Sequence, residues 1–210
     1  MQTMTARVAA VSDVLKEVEG MKFQMLVDGQ MEYLIKNLAS VMDVEGDVVE
    51  LGSNVGMTSS FIQRLLIRSN TTKKLHVYDS FEGLPPKTEE DGATPCDKGA
   101  SAVSIEQFKK TFKDAGVPLP IINKGFFGSI PDEKYPDKIC FAFLDGDFYE
   151  SVMDSFKKVY HKVQSGGVIL VHDYKWQNFP GVKMACDNFL KDKPERDEQE
   201  IDGIGIIRKK

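Results

Sequence analysis

The chain of 210 residues is poor in several things whose absence narrows its role. It holds three cysteines, Cys96, Cys140 and Cys186, with no CxxC pair. So sparse and odd a set excludes a disulfide framework and fits a reducing compartment. No apolar run reaches the ~18 residues of a membrane-spanning helix. Near the N-terminus, Arg7, Asp13, Lys16 and Glu17 interrupt any continuous apolar core of a secretory signal. A cytoplasmic location is therefore expected. Basic excess is missing too: 27 Lys and Arg against 32 Asp and Glu give a net charge of -5. That balance argues against nucleic acid and against an anionic membrane as partners, because both require a basic face. Small molecules and proteins remain. The dinucleotide fingerprint G-x-G-x-x-G is also absent, which disfavours a nicotinamide-dependent oxidoreductase.

What is present suits one ordinary domain. Hydrophobic residues make up 41% and aromatics 10%, enough for a packed core. Apolar residues recur at helical spacing over 5–19 and 30–40, then an apolar strand runs over 47–52. A helix over 57–68 and a strand over 73–80 follow. Residues 81–103 form a long loop rich in Pro, Gly and acids, a length more typical of a lid or binding loop than of filler. A helix over 104–115 starts at Ser104, with Gln107 three residues on as its capping-box partner. Strands are expected at 118–123, 138–145 and 167–172, and helices at 149–163 and 181–191, with Ser165-Gly166-Gly167 as a turn. Asp202-Gly203 in the tail is a hairpin signal. Continuous apolar strands alternating with helices imply an α/β fold: a mostly parallel sheet, helices on both faces, and an antiparallel C-terminal hairpin. Residues 1–45 read as a helical extension or cap, and 46–210 as the α/β domain.

In open α/β sheets ligands bind beyond the carboxyl ends of the strands. The first strand ends in Glu50-Leu51-Gly52-Ser53-Asn54-Val55-Gly56, followed by Thr58. Its two glycines allow close backbone approach and a sharp entry into a helix. The spacing suits a nucleoside without pyrophosphate, with Glu50 facing a water or an amino group; a plain glycine turn explains it equally well. Asp79 ends the second strand, where an acid often accepts from ribose hydroxyls, or else forms an Asx turn. The fourth strand ends in Asp145-Gly146-Asp147 and the fifth in His172-Asp173. Carboxylates at four strand ends repel one another unless a cation relieves them. Asp145, His172 and Asp173 suit a divalent metal: oxygen donors favour Mg2+, and an imidazole shifts preference toward Mn2+, Fe2+ or Zn2+. Taken without a family, capping by the two acids and packing of the histidine account for these residues slightly better. Trp176 and Phe179 either wall a substrate site or simply pack. His76 and His161 read as structural.

Together, GDVVELGSNVGMTS (46–59), VYDSFEGLP (77–85), AVSIEQF (102–108), NKGFFGSIP (123–131), FLDGDFYESVMDSF (143–156), GGVILVHDY (166–174) and FPGVKMACDNF (179–189) resemble the macrocin/mycinamicin O-methyltransferase family. These enzymes carry a Rossmann-like class I methyltransferase fold with a seven-stranded sheet, and the layout is more distantly like catechol-type O-methyltransferases. The resemblance implies S-adenosylmethionine as cofactor. Glu50, Gly52, Ser53, Asn54, Gly56 and Thr58 would cradle its methionine end. Asp79, Ser80 and Phe81 would hold the ribose and nearby loop, and Gly125, Phe126 and Phe127 would flank the adenine. Asp145, His172 and Asp173 would form the catalytic metal site, with Asp145 also against the cofactor and Mg2+ or Mn2+ as the ion. Two departures stand out. The family usually has two acids where this chain has His172-Asp173, and residues 81–103 contain no histidine to serve as base, leaving Asp145, Asp147 and His172 as candidates.

The expected reaction is methyl transfer to a hydroxyl of a small molecule, a natural-product sugar or a phenol. Its rivals are a metal-independent transferase using His172 as base and a non-catalytic scaffold with the same fold. The N-terminal helices would either cover the site or form a homodimer contact.

Overall fold

A computed structural model describes residues 4–21, 25–27 and 29–210. Helices α1 (Met4–Val18) and α2 (Gln30–Ser40) precede strand β1 (Asp47–Leu51). Then come α3 (Met57–Arg68), β2 (Leu75–Asp79), α4 (Ile105–Ala115), β3 (Ile121–Lys124), β4 (Ile139–Leu144), α5 (Tyr149–Val159), β5 (Val163–Tyr174), α6 (Pro180–Leu190), β6 (Glu198–Ile201) and β7 (Gly203–Arg208). The seven strands form one sheet in the order β3-β2-β1-β4-β5-β7-β6. β1 through β5 pair in parallel, and β7 joins antiparallel to both β5 and β6. Successive connections leave β1 in one direction and β4 in the other, so the strand order reverses between these two neighbours. That is the switch point at which α/β sheets open a ligand crevice.

Strand alternation divides the core in two. Val48, Val77, Phe141, Phe143, Val168 and Leu170 face α2, α3 and α4. Their sequence neighbours Val49, Tyr78, Ala142, Leu144, Ile169 and Val171 face α5 and α6. Both faces are buried, which is why these strands read as unbroken apolar runs. Val14 of α1 and Leu34 and Leu38 of α2 belong to the first core, so the N-terminal helices share it with the sheet.

Several boundaries differ from the sequence expectation: β3 spans Ile121–Lys124 rather than 118–123, β5 runs on to Tyr174 rather than ending at 172, and the junction of α5 and β5 shifts. α5 stops at Val159 rather than 163, and β5 begins at Val163 rather than 167. The expected turn at Ser165-Gly166-Gly167 lies inside the strand as an irregularity: Ile139 pairs with Val163, and Phe141 next pairs with Val168. Gly166 takes φ +79 there, a conformation open to glycine at little cost. His161 consequently sits in the turn after α5 rather than in the helix. The capping box of Ser104 and Gln107 forms as expected.

The long loop is tied down at three levels. Leu84 N–H donates to Ala100 O at 3.0 Å and Gly99 N–H to Leu84 O at 2.8 Å, closing its neck. Asn54 Nδ2 reaches Ser101 O at 3.1 Å. Asp91, buried in a single 3₁₀ turn, accepts from Thr88 N–H at 2.8 Å and from Tyr149 N–H at 2.7 Å. Tyr149 opens α5, whose N-cap Phe148 offers no side-chain acceptor, so the loop itself caps that helix. Removing Asp91 leaves a buried N–H unpaired and frees the loop. Asp91→Ala is expected to lower stability by about 2–3 kcal/mol in urea unfolding, and to speed tryptic cleavage at Lys87 and Lys98 relative to other sites.

Candidate active site

Register places the acidic strand ends in one row. Leu51 pairs with Tyr78 of β2 and Leu144 of β4, and Leu144 pairs with Val171 of β5. One residue further along lie Gly52, Asp79, Asp145 and His172, at the carboxyl edge of four adjacent strands. A cavity of about 690 Å³ opens over that edge, within the roughly 300–1,000 Å³ usual for small-molecule sites.

The glycine loop forms its floor. Gly52 has φ +93, and a Cβ there would stand 1.8 Å from Asp145 O. No other residue allows the two chains to pass so closely. Gly56, at φ +81, turns the chain into α3 beneath the Phe108 ring, 2.7 Å from where its own Cβ would be. The amino end of α3 carries no side-chain cap. Asp79 shapes the loop from below. Its Oδ2 accepts from Ser53 N–H at 2.8 Å and Asn54 N–H at 3.0 Å, and its Oδ1 from Phe81 N–H at 2.7 Å. The Asx turn at Asp79 is thus formed, and the carboxylate also lines the cavity.

Of the residues singled out from sequence, Gly52, Ser53, Asn54, Thr58, Asp79 and Ser80 line the cavity. Phe126, Phe127, Asp145, His172 and Asp173 line it as well. Glu50, Gly56, Phe81 and Gly125 do not. Phe81 packs edge-on against Phe108, with ring centroids 5.7 Å apart. Gly125 donates its N–H to Asp79 O at 2.9 Å. Glu50 is fully buried, bonded through Oε2 to the Ser59 hydroxyl, while its Oε1 has no protein partner. Burial, reinforced by the charges of Asp145 and Asp79, pushes the Glu50 carboxyl up to about 8 against the pull of Ser59.

The acid cluster lines the same cavity. His172 Nδ1 is 2.9 Å from Asp145 Oδ1 and 3.4 Å from Asp173 Oδ2. Burial alone would lower the His172 pKa, but Asp145 and Asp173 outweigh it and hold the ring well above its ordinary value. Asp147 is raised well above the usual carboxyl range, first by burial and then by Asp145 and Asp173. Asn54, Asp147 and Asp173 all adopt positive φ, at 48°, 59° and 56°. With Ser101 at 59°, four non-glycine residues in this conformation line the cavity, local strain of the kind that gathers at functional sites.

One member of the cluster was not foreseen. Gln30, at the start of α2, is buried and places Oε1 3.2 Å from His172 Nε2. The signal was a polar residue on the stripe that α2 otherwise fills with Leu34 and Leu38. Met25 and Val27 beside it, with Trp176 and Phe179 across, make an apolar outer wall. Leu84 and Pro85 bring the long loop to the rim.

The site fits the groups the resemblance implies. The uncapped amino end of α3 suits a carboxylate, and the orphaned Glu50 Oε1 is an acceptor awaiting a donor. Ligand atoms of Asp145, His172 and Asp173 lie within 4.8 Å of one another. The 2.9 and 3.4 Å separations are close to the ~3 Å edge of an octahedron with bonds of about 2.1 Å, so the set has the span of a divalent-ion site. Among the described residues no helix is long and apolar enough to cross a membrane.

Sheet order and the glycine loop at the switch point together give the Rossmann-like fold of class I methyltransferases. The fold is that of the O-methyltransferase NovP (TM-score 0.74, 23% identity, 86% of this chain and 79% of that one). It is also that of the calicheamicin methyltransferase CalS11 (TM-score 0.71, 16% identity, 99% and 94%). The macrocin-O-methyltransferase (TylF) family pattern matches residues 13–210, and the chain belongs to that family. It is 28% identical over 178 residues to an 8-demethyl-8-(2,3-dimethoxy-alpha-L-rhamnosyl)-tetracenomycin-C 4'-O-methyltransferase of Streptomyces olivaceus. It is 30% identical over 159 residues to a demethyldecarbamoylnovobiocin O-methyltransferase of Streptomyces niveus. These alignments cover 78% and 70% of this chain but 66% and 59% of the relatives, so the chain spans less than two thirds of their length.

Glu50 also makes stability depend on pH. Its folded pKa of about 8 lies well above that of an ordinary glutamate, so the folded state retains a proton that the unfolded state has lost. Stability therefore falls as pH rises through that window. His172 and Asp147, both raised, add slopes of the same sign. Glu50→Gln is expected to remove only its own share. Thermal unfolding from pH 5 to 8 should decline less steeply in the variant, with the two proteins most different at pH 8.

Proposed function

We propose that the protein transfers a methyl group from S-adenosylmethionine to a hydroxyl of a natural-product sugar or phenol, assisted by a divalent ion at Asp145, His172 and Asp173. The observation that carries this reading is the single row of Gly52, Asp79, Asp145 and His172 beneath one cavity. The names of the two curated relatives support a natural-product acceptor.

In this reading Ser53, Asn54 and the amino end of α3 hold the methionine end of the cofactor, with Glu50 beneath as acceptor for its ammonium. Asp79 keeps the glycine loop in shape and offers its remaining lone pairs to the ribose. Phe126 and Phe127 flank the adenine. When bound, the cofactor would supply an electrophilic sulfonium methyl, and Mg2+ or Mn2+ held by Asp145, His172 and Asp173 would lower the pKa of the acceptor hydroxyl. Asp145 and Asp173 would orient the acceptor oxygen, and Asp145 or Asp147 would take its proton as the oxygen–methyl bond forms and the sulfur–methyl bond breaks, leaving S-adenosylhomocysteine. Met25, Val27, Trp176 and Phe179 exclude water and pack the acceptor's apolar body, so most of the catalysis is alignment. His172 serves poorly as a metal-independent base, because Nδ1 faces Asp145 and Nε2 faces Gln30.

Two measurements test this. S-adenosylhomocysteine titrated calorimetrically into the protein is expected to bind; no heat with Mg2+, Mn2+ or EDTA present would remove the methyltransferase reading and favour a scaffold. Asp145→Asn, assayed with labelled cofactor against glycosylated and phenolic acceptors, should lose at least ~100-fold in turnover with its circular dichroism unchanged. EDTA should silence the wild type and Mg2+ restore it; full activity in EDTA would leave methyl transfer standing and refute the metal.

A further inference from the structure

Gln30 joins three parts of the chain that are far apart in sequence. Its Oε1 accepts from Val27 N–H at 3.0 Å, and its Nε2 donates to Asp202 O at 2.8 Å. These two bonds fix the orientation of the amide. Flipped, the –NH₂ group would face a backbone N–H and the side-chain oxygen a backbone carbonyl, and both bonds would be lost. Oε1 is therefore the atom that stands 3.2 Å from His172 Nε2. An amide oxygen only accepts, so the imidazole must carry a proton on Nε2. The contact is sealed: Gln30 is 2% exposed and His172 is 7% exposed, so water does not compete. Asp202-Gly203 presses on the amide from the other side, and a Cβ at Gly203 would come 2.6 Å from Gln30 Nε2.

We propose that Gln30 is a positioning residue that fixes the rotation of the His172 ring, holding Nε2 against the amide oxygen and turning Nδ1 toward Asp145 and Asp173. A histidine serves in the cluster only if a ring nitrogen faces the two carboxylates, and the amide enforces that orientation. The same contact couples the outer wall at Met25 and Val27 and the β6–β7 turn to the carboxyl edge of β5. The N-terminal helices thereby contribute to the site as well as to the core. Only the consequence for the metal and acceptor rests on the methyltransferase reading; the amide geometry stands without it.

Ring nitrogen NMR tests the assignment on the whole protein, without cofactor, metal or acceptor. With three histidines in the chain, His172→Gln identifies the signals. The wild type is expected to show His172 Nε2 with a directly bonded, slowly exchanging proton. Gln30→Glu keeps an acceptor and should retain that proton signal. Gln30→Leu should lose its protection, with the His76 and His161 signals unmoved. A bare Nε2 in the wild type, or an unchanged Nε2–H signal in Gln30→Leu, would overturn the proposal. Should the leucine variant fail to fold, Gln30→Met, close to glutamine in shape but without the acceptor oxygen, is expected to show the same loss of protection. Because this readout needs no turnover, it stands apart from the outcome of the methyl-transfer assays.

Discussion

The site depends on one backbone contact, the passage of the chain after β1 against the chain after β4. Asp145 N–H donates to Leu51 O at 2.7 Å, and the next residue, Gly52, lies so close to Asp145 O that a Cβ cannot fit. This contact sets the register of the two strands at the switch point. It lets the glycine loop and the acid cluster line one cavity. Asp79 extends the arrangement by bonding the Ser53 and Asn54 amides from the neighbouring strand.

Charge is the second constraint. Aligned parallel strands bring Asp79, Asp145, Asp147 and Asp173 to one edge, with Glu50 buried just below. The protein meets the repulsion in two ways. Glu50 and Asp147 are held toward their neutral forms by burial and by their neighbours. His172 is held toward its charged form between Asp145 and Asp173. A divalent ion at the same oxygens would serve the same purpose, so the positions that suit a metal are also those where the protein alone needs positive charge.

The surrounding parts are anchored rather than loosely laid over the site. Asp91 makes the long loop the cap of α5, and Gln30 binds the N-terminal wall to His172 and to the hairpin turn. Both residues are buried polar groups whose partners come from distant segments. Such groups specify an arrangement strongly, because an unpaired partner in a dry interior is costly.

The sequence by itself determined the order and kind of the α-helices and β-strands, since apolar periodicity, Ser104 with Gln107, and Asp202-Gly203 are local signals whose physics acts over a few residues; the 3₁₀ turn at Asp91 was not among them. It also placed Asp79, Asp145, His172 and Asp173 at strand ends. The end of α5 and the start of β5 were not legible: Gly166 and Gly167 form a turn or an in-strand irregularity depending on whether β4 is there to pair with. Likewise Glu50, Gly56, Phe81 and Gly125 could be tied to the glycine motif and strand ends, but not assigned to the cavity wall or to the layer beneath it. Tertiary structure alone decided that Asp91 caps a helix 58 positions away and that Gln30 meets a histidine 142 positions away. A hydrogen bond depends on separation in space, and only the packed sheet brings those atoms within 3.2 Å.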